Sequence, residues 1–271
     1  MRSFLQSRLT LILIIGIVFS FLPNVTTPSA QATSGYAYKW TLHFDFESSF
    51  DGELRMEAGR NNGSGGVVQP PIYRERFVVP CGANGAVNLA GGVAQLNGGY
   101  LKCSLDLQAA IEAVEAGCNA LDPHCTIPVD NVEKYMSVKL GADLNTPAMT
   151  TIPILAHDNL AFSVDVASAT HAVLATVDPV GEIVSNPWPA IPPTNTFHSH
   201  TAAYACTALM DCGIHYTVAG TADYVDTADT LAEIAIAETS FFIGRDLTGA
   251  VIAAGSQLDN IFIDPGNGFP D

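Results

Sequence analysis

The stretch "YKWTLHFDFES", residues 38–48, constrains the fold more than any other part of the chain. Trp40, Leu42, Phe44 and Phe46 alternate with Thr41, His43, Asp45 and Glu47. A period of two puts the first set on one side of an extended backbone and the second set on the other. Such a ribbon is half-buried, and its apolar side needs a second layer to cover it. "SSFDGE" then turns the chain back toward a second strand over Glu53–Met56.

Strand signals of the same kind recur in "RFVVP", "GGVAQLNGGYLKC", "KYMSVKL", "IPIL", "LAFSVDV" and "AVLATV". In "LAFSVDV" the residues Leu160, Phe162, Val164 and Val166 share one face. The spacing predicts one helix over 106–117, with Asp106 as cap, Leu107, Ala110, Ile111 and Val114 as its apolar stripe, and Gly117 at its end. "PVGEIVSNPWPAIPP", 179–193, is rich in proline and is predicted to be a loop. Many short strands, one helix and no strand–helix–strand alternation predict an all-β sandwich of two antiparallel sheets.

The first 32 residues read as a leader rather than as part of this fold. Arg2 and Arg8 precede the short apolar run "LILIIGIVF", and "SAQA" supplies a small-residue cleavage site at Ala30 and Ala32. The run is short for a bilayer span, so the expectation is a secretory signal peptide, an exported mature chain of 239 residues (271 − 32) forming one domain over 33–271, and no membrane insertion. Loss of both leader arginines leaves nine basic residues (11 − 2) against 27 acidic ones. A surface of that sign repels phosphate backbones, which excludes nucleic acid as a natural partner.

Six cysteines in an exported chain predict three disulfides. Sequence leaves their connectivity open, and proximity favours Cys81 with Cys103, Cys118 with Cys125, and Cys206 with Cys212. No Cys-x-x-Cys or mixed Cys/His spacing is present, so a zinc site is not indicated.

Several of these segments, in order, resemble a LamG-like domain of the concanavalin A-like lectin and glucanase superfamily. "GGVAQLNGGYL" resembles the family's "G-x-A-L-x-F-x-G-x-x-Y-L" strand and turn, and "KYMSVKL" its "F-T-I-S-A-W-V-K" strand. "TIPILAHDNLAFSVDV" resembles the strand pair that follows. "TFHSHTAAYA" is similar to "W-x-H-V-A-x-T-Y", and "IHYTVAG" to "L-Y-V-N-G". "SFFIGRDLTGAVIAAGSQLDNIFID" is similar to the closing "Y-I-G-R … G-x-I-D-N-V-R-I" pair. The resemblance spans about residues 36–264 and implies a jelly-roll β-sandwich, with the helix and the proline-rich loop as insertions.

The function it implies is a secreted, non-catalytic binding module for carbohydrate or another cell-surface or matrix component. Two alternatives stand beside it: a glycoside hydrolase and a structural or adhesive envelope protein. Laminarinase-type hydrolases of this superfamily carry "E-x-D-x-x-E" on one strand. Here "EIAIAE" keeps Glu233 and Glu238, but Ala235 replaces the central aspartate that would orient and tune them. "HFDFE" has His43 in place of a first glutamate and is a solvated strand face. No Gly-x-Ser-x-Gly elbow or His-Glu zinc motif is present, and no organic cofactor is indicated.

Calcium is the cation such domains often hold, through oxygen-rich loops. Asp143 with Asn145, and Asp158 with Asn159, are the candidate ligands. Two further readings rest on residue type. His198 and His200 share one face of a strand, and with His215 or Asp211 from across the hairpin they would form a metal site; otherwise His200 is a core histidine. Trp188 in the proline-rich insertion would offer a sugar an aromatic platform, or would pin that loop to the body.

Overall fold

The structure is a computed structural model. It describes residues 35–62, 67–127, 133–135, 137–148, 150–157, 160–165, 170–177, 184–187, 195–208, 211–218, 221–226, 234–236, 240–246 and 248–265. Ser34–Asp271 forms one compact unit.

The chain opens with β1 (Tyr36–Phe44), β2 (Gly52–Arg60) and β3 (Tyr73–Val79), followed by four short strands: β4 (Cys81–Asn84), β5 (Val87–Ala90), β6 (Val93–Leu96) and β7 (Tyr100–Ser104). Helix α1 (Leu107–Leu121) comes next. It is followed by β8 (Glu133–Tyr135), β9 (Ser137–Asn145), β10 (Thr151–His157), β11 (Leu160–Asp165), β12 (Thr170–Val177) and β13 (Val184–Pro187). The last strands are β14 (His198–Ala208), β15 (Asp211–Val218), β16 (Thr221–Asp226), β17 (Ile234–Ile236), β18 (Ser240–Ile243) and β19 (Ser256–Asp264).

Two antiparallel sheets carry almost all of these. The ten-stranded sheet runs β16-β15-β14-β9-β19-β1-β2-β3, with β6 also paired to β19 and β5 to β6. The seven-stranded sheet runs β13-β12-β11-β10-β18-β7-β4. A separate ribbon pairs β17 with β8. The last strand lies beside the first, with Leu42 opposite Ile263 and Phe44 opposite Ile261. Closure of that kind needs the two ends of the chain together. It makes the fold the jelly-roll β-sandwich that the resemblance implies.

The core follows from the alternation. Trp40, Leu42 and Phe44 on β1 and Leu54, Met56 and Ala58 on β2 are all buried from the ten-stranded sheet. Leu101 and Cys103 on β7 and Phe241 and Ile243 on β18 meet them from the other side, in the same apolar cluster. Each fully buried Leu, Ile or Phe contributes about 1.5–3 kcal/mol relative to an exposed one, and this row makes the two layers cohere. Strand β1 stops at Phe44, yet Phe46 is still turned inward. Its backbone takes a left-handed φ of 51°, and its ring stacks on Phe44 at 6.2 Å.

Helix α1 packs on the inner side of β2 and β3. The Asp106 side chain caps it by accepting from the Ala109 N–H at 2.9 Å. Gly117, expected to end it, lies inside it, and the helix runs on to Leu121. A Cβ at 117 would stand 2.3 Å from the Tyr73 ring, so glycine there lets the helix approach β3 closely rather than break.

Three other expectations are corrected. The proline-rich segment is not wholly loop, since Val184–Pro187 pairs with β12 at a sheet edge, where proline is tolerated. "KYMSVKL" divides between β8 and β9. "GGVAQLNGGYLKC" also divides, with β6 in the ten-stranded sheet and β7 in the seven-stranded one. The crossing is made at Gly98, whose φ of 82° suits glycine. Residues 1–32, expected to form a leader, lie outside the described residues.

Candidate functional site

Strand β14 settles where the histidines stand. His198 pairs with Leu144, and His200 pairs with Ala142 on one side and Val218 on the other. These neighbours include core positions, and His200 is only 1% exposed. It is a core histidine. The Nε2 of His198 is buried and accepts or donates no hydrogen bond among the described residues. His215 pairs with Ala203, an odd-numbered position. Strand alternation therefore places residue 215 on the face opposite to 198 and 200. Among the described residues no three His, Cys, Asp or Glu side chains are grouped so as to hold a metal.

The same register sets Cys206 opposite Cys212. Two disulfides are in place, Cys81–Cys103 and Cys118–Cys125. The first clips β4 to β7, and the second ties the end of α1 to the segment after it.

Asp143 and Asn145 are both bonded to β19. Asn145 donates through Nδ2 to Gln257 Oε1 at 2.9 Å, and Asp143 Oδ2 accepts from Asn260 Nδ2 at 2.8 Å. Asp259 stands opposite Asp143, and its carboxylate accepts the Asn260 N–H at 2.8 Å. Asn260 amide hydrogens thus occupy oxygens that a cation would take. Asp158, Asn159, Trp188, Glu233 and Glu238 lie outside the described residues. The strand between the two glutamates, Ile234–Ile236, belongs to the two-stranded ribbon and to neither large sheet.

Burial holds the Asp259 carboxyl above the usual aspartate range. The Asn260 N–H opposes that shift, while the charges of Asp143, Glu47 and Asp45 add to it. A folded-state pKa raised above the unfolded value means that the folded state binds the proton more tightly. The associated stability is present below the ordinary value of 3.8 and is lost as pH rises through the raised one. Asp259→Asn removes the charge while leaving an amide oxygen for the Asn260 N–H. Its melting temperature should exceed that of the parent at about pH 7 and lose that advantage at about pH 3. Equal melting curves at both values would show that the like charges are already compensated.

A different arrangement occupies the outer face of the seven-stranded sheet. Leu101 and Cys103 point into the core, so Tyr100, Lys102 and Ser104 point out. On β18 the buried Phe241 and Ile243 leave Ser240 and Phe242 on that outer side. Phe242 pairs with Lys102, and Lys102 with the exposed Gly82. The Tyr100 and Phe242 rings meet edge to face at 6.0 Å. The Arg245 guanidinium lies over both, 4.5 Å from the Phe242 centroid and 5.3 Å from that of Tyr100. Ala156, which pairs with Phe242 on the other side, is completely buried, and Pro153 and Ser163 further along are also buried. The outer face is thus covered over β10 and β11 and open over β18, β7 and β4. It forms a step with an aromatic and cationic floor. The sequence hides this cluster, because Tyr100 and Arg245 meet only when β7 and β18 pair.

The apolar groove of about 350 Å³ between β3 and the start of α1 is lined by Leu54, Phe77, Val78 and Ala110 among others. It carries one charged group, Asp106, which is already engaged as the helix cap.

These features define a two-sheet antiparallel β-sandwich with an open outer sheet face. No protein-family model and no curated protein matches the sequence. Solved structures similar to it include a botulinum neurotoxin type C, whose cell entry depends on interaction with two ganglioside molecules. That likeness has a TM-score of 0.45 at 9% identity over 70% of this chain and 44% of the other. The binding domain of Paraclostridial Mosquitocidal Protein 1 is similar with a TM-score of 0.44 at 10% identity, over 70% of this chain and 45% of that one. The heptameric SAP-like pentraxin of Limulus polyphemus gives 0.37 at 10% identity, over 48% and 64%. The chain spans less than half the length of the two toxin chains.

Proposed function

We propose that the protein is a secreted, non-catalytic binding module that recognises carbohydrate or another cell-surface component. The observation that carries this reading is the open outer face of β18, β7 and β4, with Tyr100 and Phe242 set beside Arg245. The ring surface of Tyr100 and Phe242 that Arg245 leaves uncovered offers apolar contact to a sugar ring, and the Arg245 N–H groups and the Tyr100 hydroxyl offer polar contacts that orient it. Two disulfides and the export-type leader sequence support an extracellular setting. No helix among the described residues is long and apolar enough to cross a membrane. Cys206 and Cys212 complete the disulfide set in this reading, and non-reducing peptide mapping should recover the linked pair.

A glycan array, run with and without a calcium chelator, tests the reading. Binding to a defined set of glycans is the expected result. Loss of that binding in chelator would assign calcium a part in it, and a flat array would favour the structural or adhesive alternative. Hydrolysis is separated by incubation with β-glucans. No reducing ends are expected, and turnover that disappears in Glu238→Gln would replace the module by a glycosidase.

A further inference from the structure

We propose that the step around Arg245 and Lys102 takes an anionic saccharide, one whose sugar rings carry carboxylate or sulfate; this rests on the binding-module reading above. The distribution of positive charge carries the inference. On the outer face of the ten-stranded sheet, Lys39 pairs with Asp264, Arg55 and Arg76 with Glu53, and Arg74 with Glu57. Each of those cations has a carboxylate partner, with Glu53 shared between two of them. Four cations have no ion-pair partner among the described residues: Arg60 and Lys139 stand on separate strands of the ten-stranded sheet, whereas Lys102 and Arg245 come together around Phe242, in a chain of net charge −16. The carboxylate nearest Arg245 in sequence, Asp246, is committed to its own turn. It accepts from Thr248 Oγ1 and from the Ala250 N–H, each at 2.8 Å.

Arg245 is also held still. With its guanidinium lying over two rings, its planar donor fork is ordered before any ligand arrives, which lowers the entropy lost on binding. A fork of that shape matches two oxygens of a carboxylate or sulfate. Lys102 stands one strand over from Phe242, and a Cβ added to Gly82 beyond it would meet nothing within 4 Å. A second acidic group on a neighbouring sugar has room there. Distant carboxylates on the protein are screened within about 8 Å at physiological salt, so the local cations govern a short anionic oligomer.

Titration calorimetry of the mature chain with four probes tests this: an oligogalacturonate, a sulfated tetrasaccharide, a neutral cello-oligosaccharide and an oligoglutamate. The expected result is binding of one or both anionic sugars, weakened about tenfold or more in Arg245→Gln and in Lys102→Met, as loss of a charge-assisted contact predicts. Relative affinity for the first two probes distinguishes carboxylate from sulfate. Lys102 is exposed, so its variant tests the site even where Arg245→Gln disturbs the ring cluster. Neutral-sugar binding that equals acidic-sugar binding and survives both substitutions would overturn the inference while leaving the module intact. Oligoglutamate binding with the same variant dependence, and none by sugars, would overturn it in favour of an acidic polypeptide. Silence toward every sugar, here and on the array, would overturn the module reading as well.

Discussion

Replacing Trp40 by alanine should cost about 4 kcal/mol of unfolding free energy, since large aromatic-to-alanine changes in a core cost about 3–5 kcal/mol. Trp40 is 1% exposed and lies opposite Met56 in the β1–β2 pairing. Its loss removes apolar area and leaves a cavity that neighbours on two strands cannot collapse into without breaking their ladder. For a domain of this size each kcal/mol lowers the melting temperature by about 2–4 °C, so a fall of about 10 °C is expected in calorimetry. A fall of about 2 °C or less would mean that the β1 alternation does not face a packed layer.

The second large effect concerns the clip between β4 and β7. Replacing both Cys81 and Cys103 by alanine opens a loop with a sequence separation of 22, against 7 for Cys118 and Cys125. Loop-closure entropy assigns about 3 kcal/mol to the first bridge and about 2 kcal/mol to the second. The wider loop should therefore be the costlier one to lose, by urea titration of the two double variants. Cys103 is also completely buried beside Leu101 and Phe241, which adds a packing loss on the same side. The reverse ranking would show that structure in the unfolded chain, rather than loop length, sets the contribution.

The fold was legible where a residue's own neighbours decide its fate. "YKWTLHFDFES" reports β1 because an alternating segment beside a core has one stable orientation, and the apolar positions 40, 42 and 44 are all buried. The helix was legible from Asp106 and its apolar stripe, but its end was not. Gly117 reads as a stop in isolation, whereas its role is set by the Tyr73 ring on another element. The strand break between β6 and β7 was hidden for a related reason. Gly98 and Gly99 join two apolar runs that serve different sheets, and only tertiary packing separates them. At position 99 the backbone of Asn84 and Ala86 comes within 2.8 Å of where a Cβ would sit, so glycine marks a close chain approach.

The site was the least legible part. A reading by residue type draws the eye to histidines, glutamates and Asp–Asn pairs. His200 proves to be core, and Asp143 and Asn145 bond to β19. The open cluster instead joins β7 to residues about half the chain away, through a strand pairing that local sequence does not encode. One signal was present: "YLKCS" sets Tyr100 and Lys102 on alternate positions of its outward face, where a plain core strand would carry small polar residues.

Hydrogen–deuterium exchange with a bound glycan tests most directly where recognition happens. Slowed exchange is expected in Tyr100–Ser104 and Ser240–Ile243, with β1, β2 and β3 unchanged. Protection confined to β1–β3, or to segments away from β7 and β18, would contradict this placement.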